Sequence, residues 1–212
     1  LDELRKQCDE TGILLIFDEI VTGFRFAYGG AQELYDVTPD ICTLGKVIGG
    51  GFPLAAIAGS TEIMQHFDKS KVGAEDFLMQ LGTLSGNPVA CVAGLKTMEI
   101  LRRENAYEKM RGDGQRLAKI FHKYVEPTGI DYTVLGDDTL FDVVFVKNDI
   151  SNYRDYIKAD GALYASFNSM LRSAGIFKPA GKVYVSAVLT ADDFELTEHA
   201  VCAASEHISS LY

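Results

Sequence analysis

The sequence predicts an α/β protein, and two features of its residue pattern favour that fold class. In the first half, short apolar runs at residues 14–17 and 41–44 are bounded by turn signals, which is typical of parallel strands covered on both faces. In the second half, amphipathic helical stretches alternate with strand-like segments, which predicts a small α+β unit. A polar break at residues 102–105 separates the two patterns. We therefore expect one domain over residues 1–105 and another over residues 106–212.

The first half is expected to begin with a helix. Leu1, Leu4 and Cys8 fall on one helical stripe, and Gly12 is placed as the C-terminal cap of that helix. After the two strands, a third strand of the same parallel type is expected at residues 54–59. The next segments are predicted to be a helix at residues 61–67 and a charged surface loop at residues 68–76.

Asn87 and Pro88 mark the start of a longer helix, because Asn is a favoured N-cap and Pro suits the first helical position. Its apolar residues are expected to face inward: Val89, Val92, Ala93, Leu95, Met98 and Leu101. The preceding loop carries the hydroxyl groups of Thr83 and Ser85. Such a loop suits an anion, through the free N–H groups and the helix dipole, or simply caps the helix.

The second half is predicted to contain three helices and three strands. The first helix carries Gly112 and Gly114, which weaken its middle, and strands are expected at residues 131–135 and 140–147. Gly175 ends the second helix, and residues 183–189 alternate as a half-buried strand. Thr190 and Asp193 resemble a capping box for the last helix. The inward residues of that helix are expected to be Phe194, Val201, Ala204, Ile208 and Leu211.

The composition excludes several classes of protein. The 212 residues are 47% hydrophobic and 24% charged, as in ordinary globular proteins. The net charge of −10 and the pI near 4.8 disfavour binding to nucleic acid or to an anionic membrane surface. The apolar runs are too short to span a bilayer.

The four cysteines indicate a reducing compartment. They are dispersed without a Cys-x-x-Cys pair, and each lies in an apolar context, which predicts reduced, buried residues: Cys8, Cys42, Cys91 and Cys202. We expect a cytoplasmic setting, and a plastid stroma would look the same.

The two strand ends of the first half carry the candidate chemistry. Asp18 and Glu19 end the first strand, whereas Gly45 and Lys46 end the second, and ligands of open α/β folds bind at the carboxyl ends of strands. A lysine amine can form a Schiff base with a carbonyl such as that of pyridoxal phosphate (PLP), which also needs a carboxylate at its ring nitrogen. A lone Asp and a lone Lys are weak signals, so spacing alone favours a structural interpretation in which Asp18 caps a helix or pairs with Arg25 and Lys46 is an ordinary solvated lysine.

Five blocks of residues, in this order, resemble the class III PLP-dependent aminotransferases. The blocks are residues 18–25 (DEIVTGFR), 37–40 (VTPD), 43–46 (TLGK), 49–53 (GGGFP) and 82–88 (GTLSGNP). Residues 28–32 (YGGAQ) and 82–88 are similar to the glutamate-1-semialdehyde 2,1-aminomutase branch of that family. The resemblance implies PLP-dependent transferase fold type I, with part of a large-domain sheet followed by a small C-terminal α+β domain.

The resemblance implies a role for four residues in amino-group transfer to or from a small amino or keto substrate. Lys46 would be the Schiff-base lysine and would shuttle protons as the catalytic amine. Asp18 would favour the protonated ring nitrogen. Ile20, expected two residues further along the same extended strand, would pack on a face of the cofactor ring. Thr83 would bind the cofactor phosphate from the partner subunit of a homodimer.

Two departures from the family pattern bear on function. The family has about as much chain again ahead of the Asp18 strand, so this chain resembles a C-terminal half, either cut from a longer polypeptide or awaiting a separate N-terminal half. The resemblance also leads us to expect an acidic residue near the last strand, and residues 181–185 contain none. An amine or β-amino-acid transaminase therefore remains an alternative to the aminomutase. A non-catalytic fragment or assembly module is the alternative from a different class.

Other residues are expected to be structural. Glu19 is predicted to be a partner of the turn, Gln32 has no assigned chemistry, and the glycines at residues 49–51 are predicted to form a close-approach turn rather than a phosphate loop. No metal-ligand spacing connects the four histidines, His66, His122, His199 and His207.

Overall fold

The computed structural model describes residues 1–103, 105–147 and 149–211. The chain divides into two compact units, Leu1–Ala106 and Tyr107–Tyr212, and each unit contains its own three-stranded sheet. Glu104, within the polar break noted above, lies outside the described residues.

The sheet of the first unit has the strand order β1–β2–β3. Strands β1 (Ile16–Glu19) and β2 (Ile41–Leu44) are parallel, which confirms the predicted pairing. Strand β3 (Ala56–Gly59) is antiparallel to β2, so the prediction of three parallel strands was wrong. Residues 45–55 are too few for the crossover of about a dozen or more residues that a parallel connection needs.

The strands of this sheet are less buried than their apolar character predicts. Cys42 and Glu19 are buried, but Ile16 is 57% exposed and β3 is exposed along its whole length. The prediction of strands covered on both faces was therefore wrong for this unit, because the elements described in it pack on only part of the sheet.

The first four α-helices of the chain match the predicted signals only in part, because two of them lie in segments that were predicted to be turns or loops. Helix α1 (Asp2–Thr11) ends at Gly12, whose φ of +68° is the left-handed cap conformation. Helix α2 (Gly30–Tyr35) follows β1, and α3 (Thr61–Met64) begins after the cap residue Ser60. A short helix α4 (Lys69–Val72) occupies part of the predicted charged loop.

Helix α5 (Pro88–Arg103) begins as predicted but buries a different face. Oδ1 of Asn87 accepts hydrogen bonds from the N–H groups of Val89 (2.9 Å) and Ala90 (3.3 Å), which confirms the cap. Its buried residues are Ala90 and Gly94, whereas several residues predicted to face inward are exposed: Val89 by 58%, Val92 by 66% and Leu95 by 68%.

The second unit is an α+β arrangement, as predicted. Its helices are α6 (Ala106–Val125), α7 (Tyr153–Tyr156), α8 (Gly161–Ser173) and α9 (Ala191–Ser209). Its antiparallel sheet contains β4 (Thr133–Asp137), β5 (Leu140–Val144) and β6 (Val183–Tyr184). All five residues of β5 are buried, which makes that strand the centre of this unit's core.

Two predictions at the end of the chain had different outcomes. The capping box of Thr190 and Asp193 at the start of α9 is confirmed. The strand predicted at residues 183–189 is limited to β6, and Leu211, predicted to face inward, is 59% exposed.

The described residues also bear on membrane and metal binding. In residues 1–103, 105–147 and 149–211, no helix combines the length and apolar character needed to cross a bilayer. The same residues contain no cluster of three His, Cys, Asp or Glu side chains that could hold a metal ion. All four cysteines are free, but only Cys42 is fully buried.

Candidate functional site

Asp18 lies near the carboxyl end of β1, directly opposite Thr43 of β2. The Thr43 hydroxyl donates a hydrogen bond of 3.1 Å to Oδ1 of Asp18, and the N–H of Ile20 donates another of 3.1 Å to the same oxygen. Within the described part of the chain, Oδ2 of Asp18 receives no hydrogen bond. The carboxylate is thus oriented through one oxygen, which leaves the other available to a ligand.

Lys46 follows β2 and begins a 3-10 turn, Lys46–Gly49. Its φ of +48° is unusual for a residue with a side chain, and the turn is anchored by the buried residues Ile48 and Gly49. The amine is exposed and makes no hydrogen bond or ion pair with any residue the structure describes. A fixed backbone therefore presents an amine that is free to react.

The two strand ends contact each other through Ile20 and Gly45. A Cβ atom placed on the buried Gly45 would lie 3.4 Å from Cγ2 of Ile20, so the isoleucine packs over the residue that precedes Lys46. Ile20 itself lies in the turn after β1, which ends at Glu19. The expectation that Ile20 extends the strand was wrong, because the chain already turns at that residue.

Thr83 is exposed in the turn that precedes α5. It is absent from the described residues that line the large cavity of the first unit, although its neighbours Gly82 and Leu84 line it. The structure therefore brings together Asp18, Ile20 and the turn that carries Lys46. The cofactor roles of all four residues stay predictions.

A cavity of about 1010 Å³ adjoins this strand end, and it is lined by Ile20 and Thr43. The rest of its lining is largely apolar and includes Leu44, Leu54, Ile57, Met64, Phe67 and Phe77. The polar side chains among its described lining residues are Thr43, Gln80 and Ser85. Neither Asp18 nor Lys46 is among these lining residues, and Asp18 is connected to the cavity only through its hydrogen bond with Thr43.

Thr43 was not identified from the sequence as a site residue. It is one of four residues in a short apolar strand, and nothing local distinguishes it. Once the strands are known to be parallel, the register places it opposite Asp18, so the pairing was the signal that could have found it.

Glu19 confirms its predicted structural role in the turn. Its side chain is 1% exposed and accepts hydrogen bonds from the N–H groups of Ala31 (2.9 Å) and Gln32 (3.0 Å). The Gln32 side-chain amide (3.3 Å) and the Thr22 hydroxyl also donate to this carboxylate. Gln32, to which no role could be assigned from the sequence, is therefore a partner of Glu19.

The glycine run after Lys46 is confirmed as a close-approach turn. Gly50 has a φ of +58°, and a Cβ atom there would lie 2.7 Å from the carbonyl oxygen of Ala93 in α5. A Cβ atom on Gly94 of α5 would lie 2.1 Å from the carbonyl oxygen of Ile48. Glycines on both sides therefore let the Lys46 turn pack against the helix backbone.

Residues 1–208 match the family described as Aminotransferase class-III. The glutamate-1-semialdehyde 2,1-aminomutase of Chlorobaculum parvum is 40% identical over 197 residues, which cover 92% of this chain and 44% of that protein. The enzyme of the same name from Methanosarcina acetivorans is 38% identical over 200 residues, covering 93% and 46%.

Solved structures show the same fold. An omega-transaminase from Sphaerobacter thermophilus is 32% identical with a TM-score of 0.88, over 98% of this chain and 47% of that one. A β-phenylalanine aminotransferase from Variovorax paradoxus is 27% identical with a TM-score of 0.84, over 99% and 48%. The chain spans about half the length of the curated relatives it matches, and it corresponds to their C-terminal half.

Proposed function

This chain belongs to the class III aminotransferase family, and from that membership we propose that it supplies the lysine-bearing part of a PLP-dependent enzyme of amino-group transfer. The observation that carries the proposal is the contact between the two strand ends. Ile20 packs on Gly45, so that the turn after Asp18 meets the residue before Lys46. Residues 1–105 would form the C-terminal part of the cofactor-binding large domain, and residues 106–212 would form the small domain.

The residues at this strand end fit PLP. The cofactor, when bound, supplies an aldehyde that amines attack and a pyridinium ring that accepts the electron pair of a carbanion. Among the described residues, the amine of Lys46 has no partner, and Oδ2 of Asp18 receives no hydrogen bond. Ile20 adds an apolar surface beside them.

Each residue would then have a distinct task. Asp18 would hold the proton on the ring nitrogen, because a neighbouring carboxylate favours the charged form of a base. Lys46 Nζ would anchor the cofactor and would accept and return the proton that leaves the carbon bearing the substrate's amino group. Ile20 would pack on one face of the ring, and Thr83 would bind the phosphate of the partner's cofactor in a homodimer.

Two substrate classes are supported by different comparisons. The sequence identity of about 40% to glutamate-1-semialdehyde 2,1-aminomutases supports an aminomutase. The TM-score of 0.88 to an omega-transaminase supports transfer between separate amines and keto compounds, as does the lack of an acidic side chain at residues 181–185. An amino-donor panel distinguishes them, because only a transaminase converts its cofactor with simple amines.

The decisive test is covalent attachment of PLP to Lys46. The purified chain with added PLP should show the absorbance band of a lysine imine, and borohydride reduction should give one modified lysine by peptide mass spectrometry. Lys46→Ala should abolish both the imine band and the modified lysine. Lys71→Ala, at another exposed lysine, is the matched control and should leave both intact. An adduct that persists in Lys46→Ala contradicts the proposal.

A second candidate function is that of an assembly module without catalysis of its own. The exposed apolar face of α5 favours it, since contiguous apolar surface of that kind marks interaction sites. A chain that associates but binds no PLP would support this alternative. The four free cysteines support a reducing compartment in either case, in the cytoplasm or in a plastid stroma.

A further inference from the structure

We propose that Glu19 is a positioning residue of this site, whose buried carboxylate holds the turn after β1 so that Asp18 and Ile20 keep their orientation. The inference rests on the proposed function, because it takes Asp18 to face the cofactor. Neighbouring residues of a strand point to opposite faces. Glu19 therefore lies on the face away from Asp18, where it acts through the backbone and does not contact the reacting atoms.

The carboxylate of Glu19 ties the start of the turn to its end. It accepts hydrogen bonds from the Thr22 hydroxyl, three residues later, and from the N–H groups of Ala31 and Gln32, more than ten residues later. The carbonyl oxygen of Glu19 also accepts a hydrogen bond of 2.8 Å from the N–H of Gly23. Both the side chain and the backbone of Glu19 thus fix the path of the chain that leaves β1.

This path determines how Asp18 is held. Oδ1 of Asp18 has two donors, the Thr43 hydroxyl from β2 and the Ile20 N–H from the turn. If the turn loosens, the Ile20 donor moves away and Asp18 keeps only the bond to Thr43. A carboxylate with one remaining hydrogen bond can rotate away from the direction that the ring nitrogen requires.

Gly30 shows that the backbone is built around this carboxylate. Its φ is +74°, and a Cβ atom there would lie 2.6 Å from Oε2 and 2.8 Å from Oε1 of Glu19. Any side chain at residue 30 must displace the carboxylate, quite apart from the strain of that backbone conformation. Gly30→Ala is therefore a second way to disturb the same contacts while leaving Glu19 in place.

The donors that hold the carboxylate are neutral. No ion pair involves Glu19 among the described residues, and its partners are two backbone amides, one hydroxyl and one side-chain amide. Glu19→Gln keeps the size of the side chain but turns one acceptor oxygen into an NH₂ group that faces other donors. A buried group left without its partner costs its full desolvation energy.

The test compares Glu19→Gln with Glu33→Gln, which changes an exposed carboxylate in α2 that accepts a bond of 2.6 Å from the N–H of Gly29. PLP labelled with ¹⁵N at its ring nitrogen is titrated into each chain, and two quantities are measured: the dissociation constant and the pH midpoint of the ring nitrogen's ¹⁵N chemical shift. Glu19→Gln should weaken PLP binding by about 10- to 100-fold, by analogy with the loss seen when a hydrogen-bond partner that orients a metal ligand is removed. Its midpoint should also move to lower pH, since a loosened Asp18 favours the protonated ring nitrogen less. Glu33→Gln should change neither quantity.

A Glu19→Gln chain that matches the unmodified chain in affinity and midpoint overturns the inference. If the unmodified chain binds no PLP, the proposed function fails, and amide hydrogen exchange then decides the role of Glu19. Glu19→Gln and Gly30→Ala should speed exchange at the Ile20 and Gly23 amides, and unchanged exchange overturns the inference. Thr22→Val, which removes a single donor, serves the same measurements if either variant fails to fold.

Discussion

A buried lysine in the second unit, Lys178, connects three separate parts of that unit through its polar contacts. Lys178 is 8% exposed, and its Nζ donates to the hydroxyl of Tyr164 (2.9 Å) and to Oδ1 of Asn168 (3.0 Å), and lies 3.4 Å from Oδ1 of Asp142. Tyr164 in turn donates to Asp142 at 2.8 Å. Burial lowers the pKa of Lys178, while the negative charge of Asp142 opposes that shift. The lysine thereby connects the segment before β6 to both β5 and α8.

Replacing Lys178 should therefore destabilise the second unit strongly. Lys178→Met fills the same space but leaves the Asp142 carboxylate, which is 6% exposed, without its cation. Breaking a buried ion pair in this way typically lowers the free energy of unfolding by about 3–5 kcal/mol. Urea unfolding measures the loss. Lys182→Met removes an exposed lysine nearby and should change stability by less than about 0.5 kcal/mol, so equal effects in both variants would contradict the explanation.

Asp18 and Lys46 became candidates because each follows an apolar run at the point where a strand ends. Their assigned roles came from the resemblance of the surrounding blocks to the aminotransferase family, and those roles stay predictions. Thr43 and the partners of Lys178 did not become candidates, since their importance comes from a residue on another element. The sequence contains those residues but not the register that brings them together.

At the scale of secondary-structure elements, two glycines of α6 provide a matched comparison. Both were expected to weaken the helix, which nevertheless runs without a break over Ala106–Val125. A Cβ atom on Gly112 would meet nothing within 4 Å, whereas one on Gly114 would lie 1.7 Å from the carbonyl oxygen of Asp138. Gly114 is thus required by the close approach of the chain between β4 and β5, and Gly112 is not.

Substituting the two glycines should accordingly change stability in opposite directions. Gly112→Ala should raise the free energy of unfolding by about 0.5–1 kcal/mol, because alanine is the better helix former. Gly114→Ala should lower it by about 1–3 kcal/mol, the usual cost of overpacking. Thermal and urea unfolding of the two variants measure both effects, and a stabilised Gly114→Ala protein would disprove the steric argument.

Helix ends were predicted better than strands. The caps at Gly12, Asn87 and Thr190 are all confirmed, because a cap depends on a side chain and backbone groups only a few residues away. The strand expected at residues 183–189 is limited to β6, whose two residues pair with Leu140 and Phe141 of β5. Alternating residues predict a strand only where a partner strand is available beside them.

At the scale of the whole chain, the exposed apolar residues of the first unit are the main departure from an ordinary monomer surface. Leu78, Met79, Leu81 and Leu84 are each more than half exposed in the segment before α5. The exposed face of α5 is also apolar, and exposed apolar surface of this kind is normally covered by another chain or segment.

We therefore expect the chain to self-associate in solution. Light scattering coupled to size-exclusion chromatography should give a mass above that of one chain, 23.2 kDa, and the mass should rise with concentration. Val92→Lys with Leu95→Lys should shift the population toward monomer, because both side chains lie on the exposed face of α5. Lys96→Gln, at an exposed polar residue of the same helix, is the control. A monomer at every concentration would contradict this expectation.

The sequence by itself determined the α/β class, the helix caps and the two strand ends that carry Asp18 and Lys46. These features depend on residues close together in the chain, and a pattern of neighbours is enough to specify them. Only the tertiary structure decided that β3 runs antiparallel, that Thr43 orients Asp18, and that Glu19 reaches Ala31 and Gln32. It also decided which apolar faces are covered. Strand pairing, buried hydrogen bonds and burial all depend on contacts between residues that are distant in sequence. A local sequence pattern does not specify which distant residues come into contact.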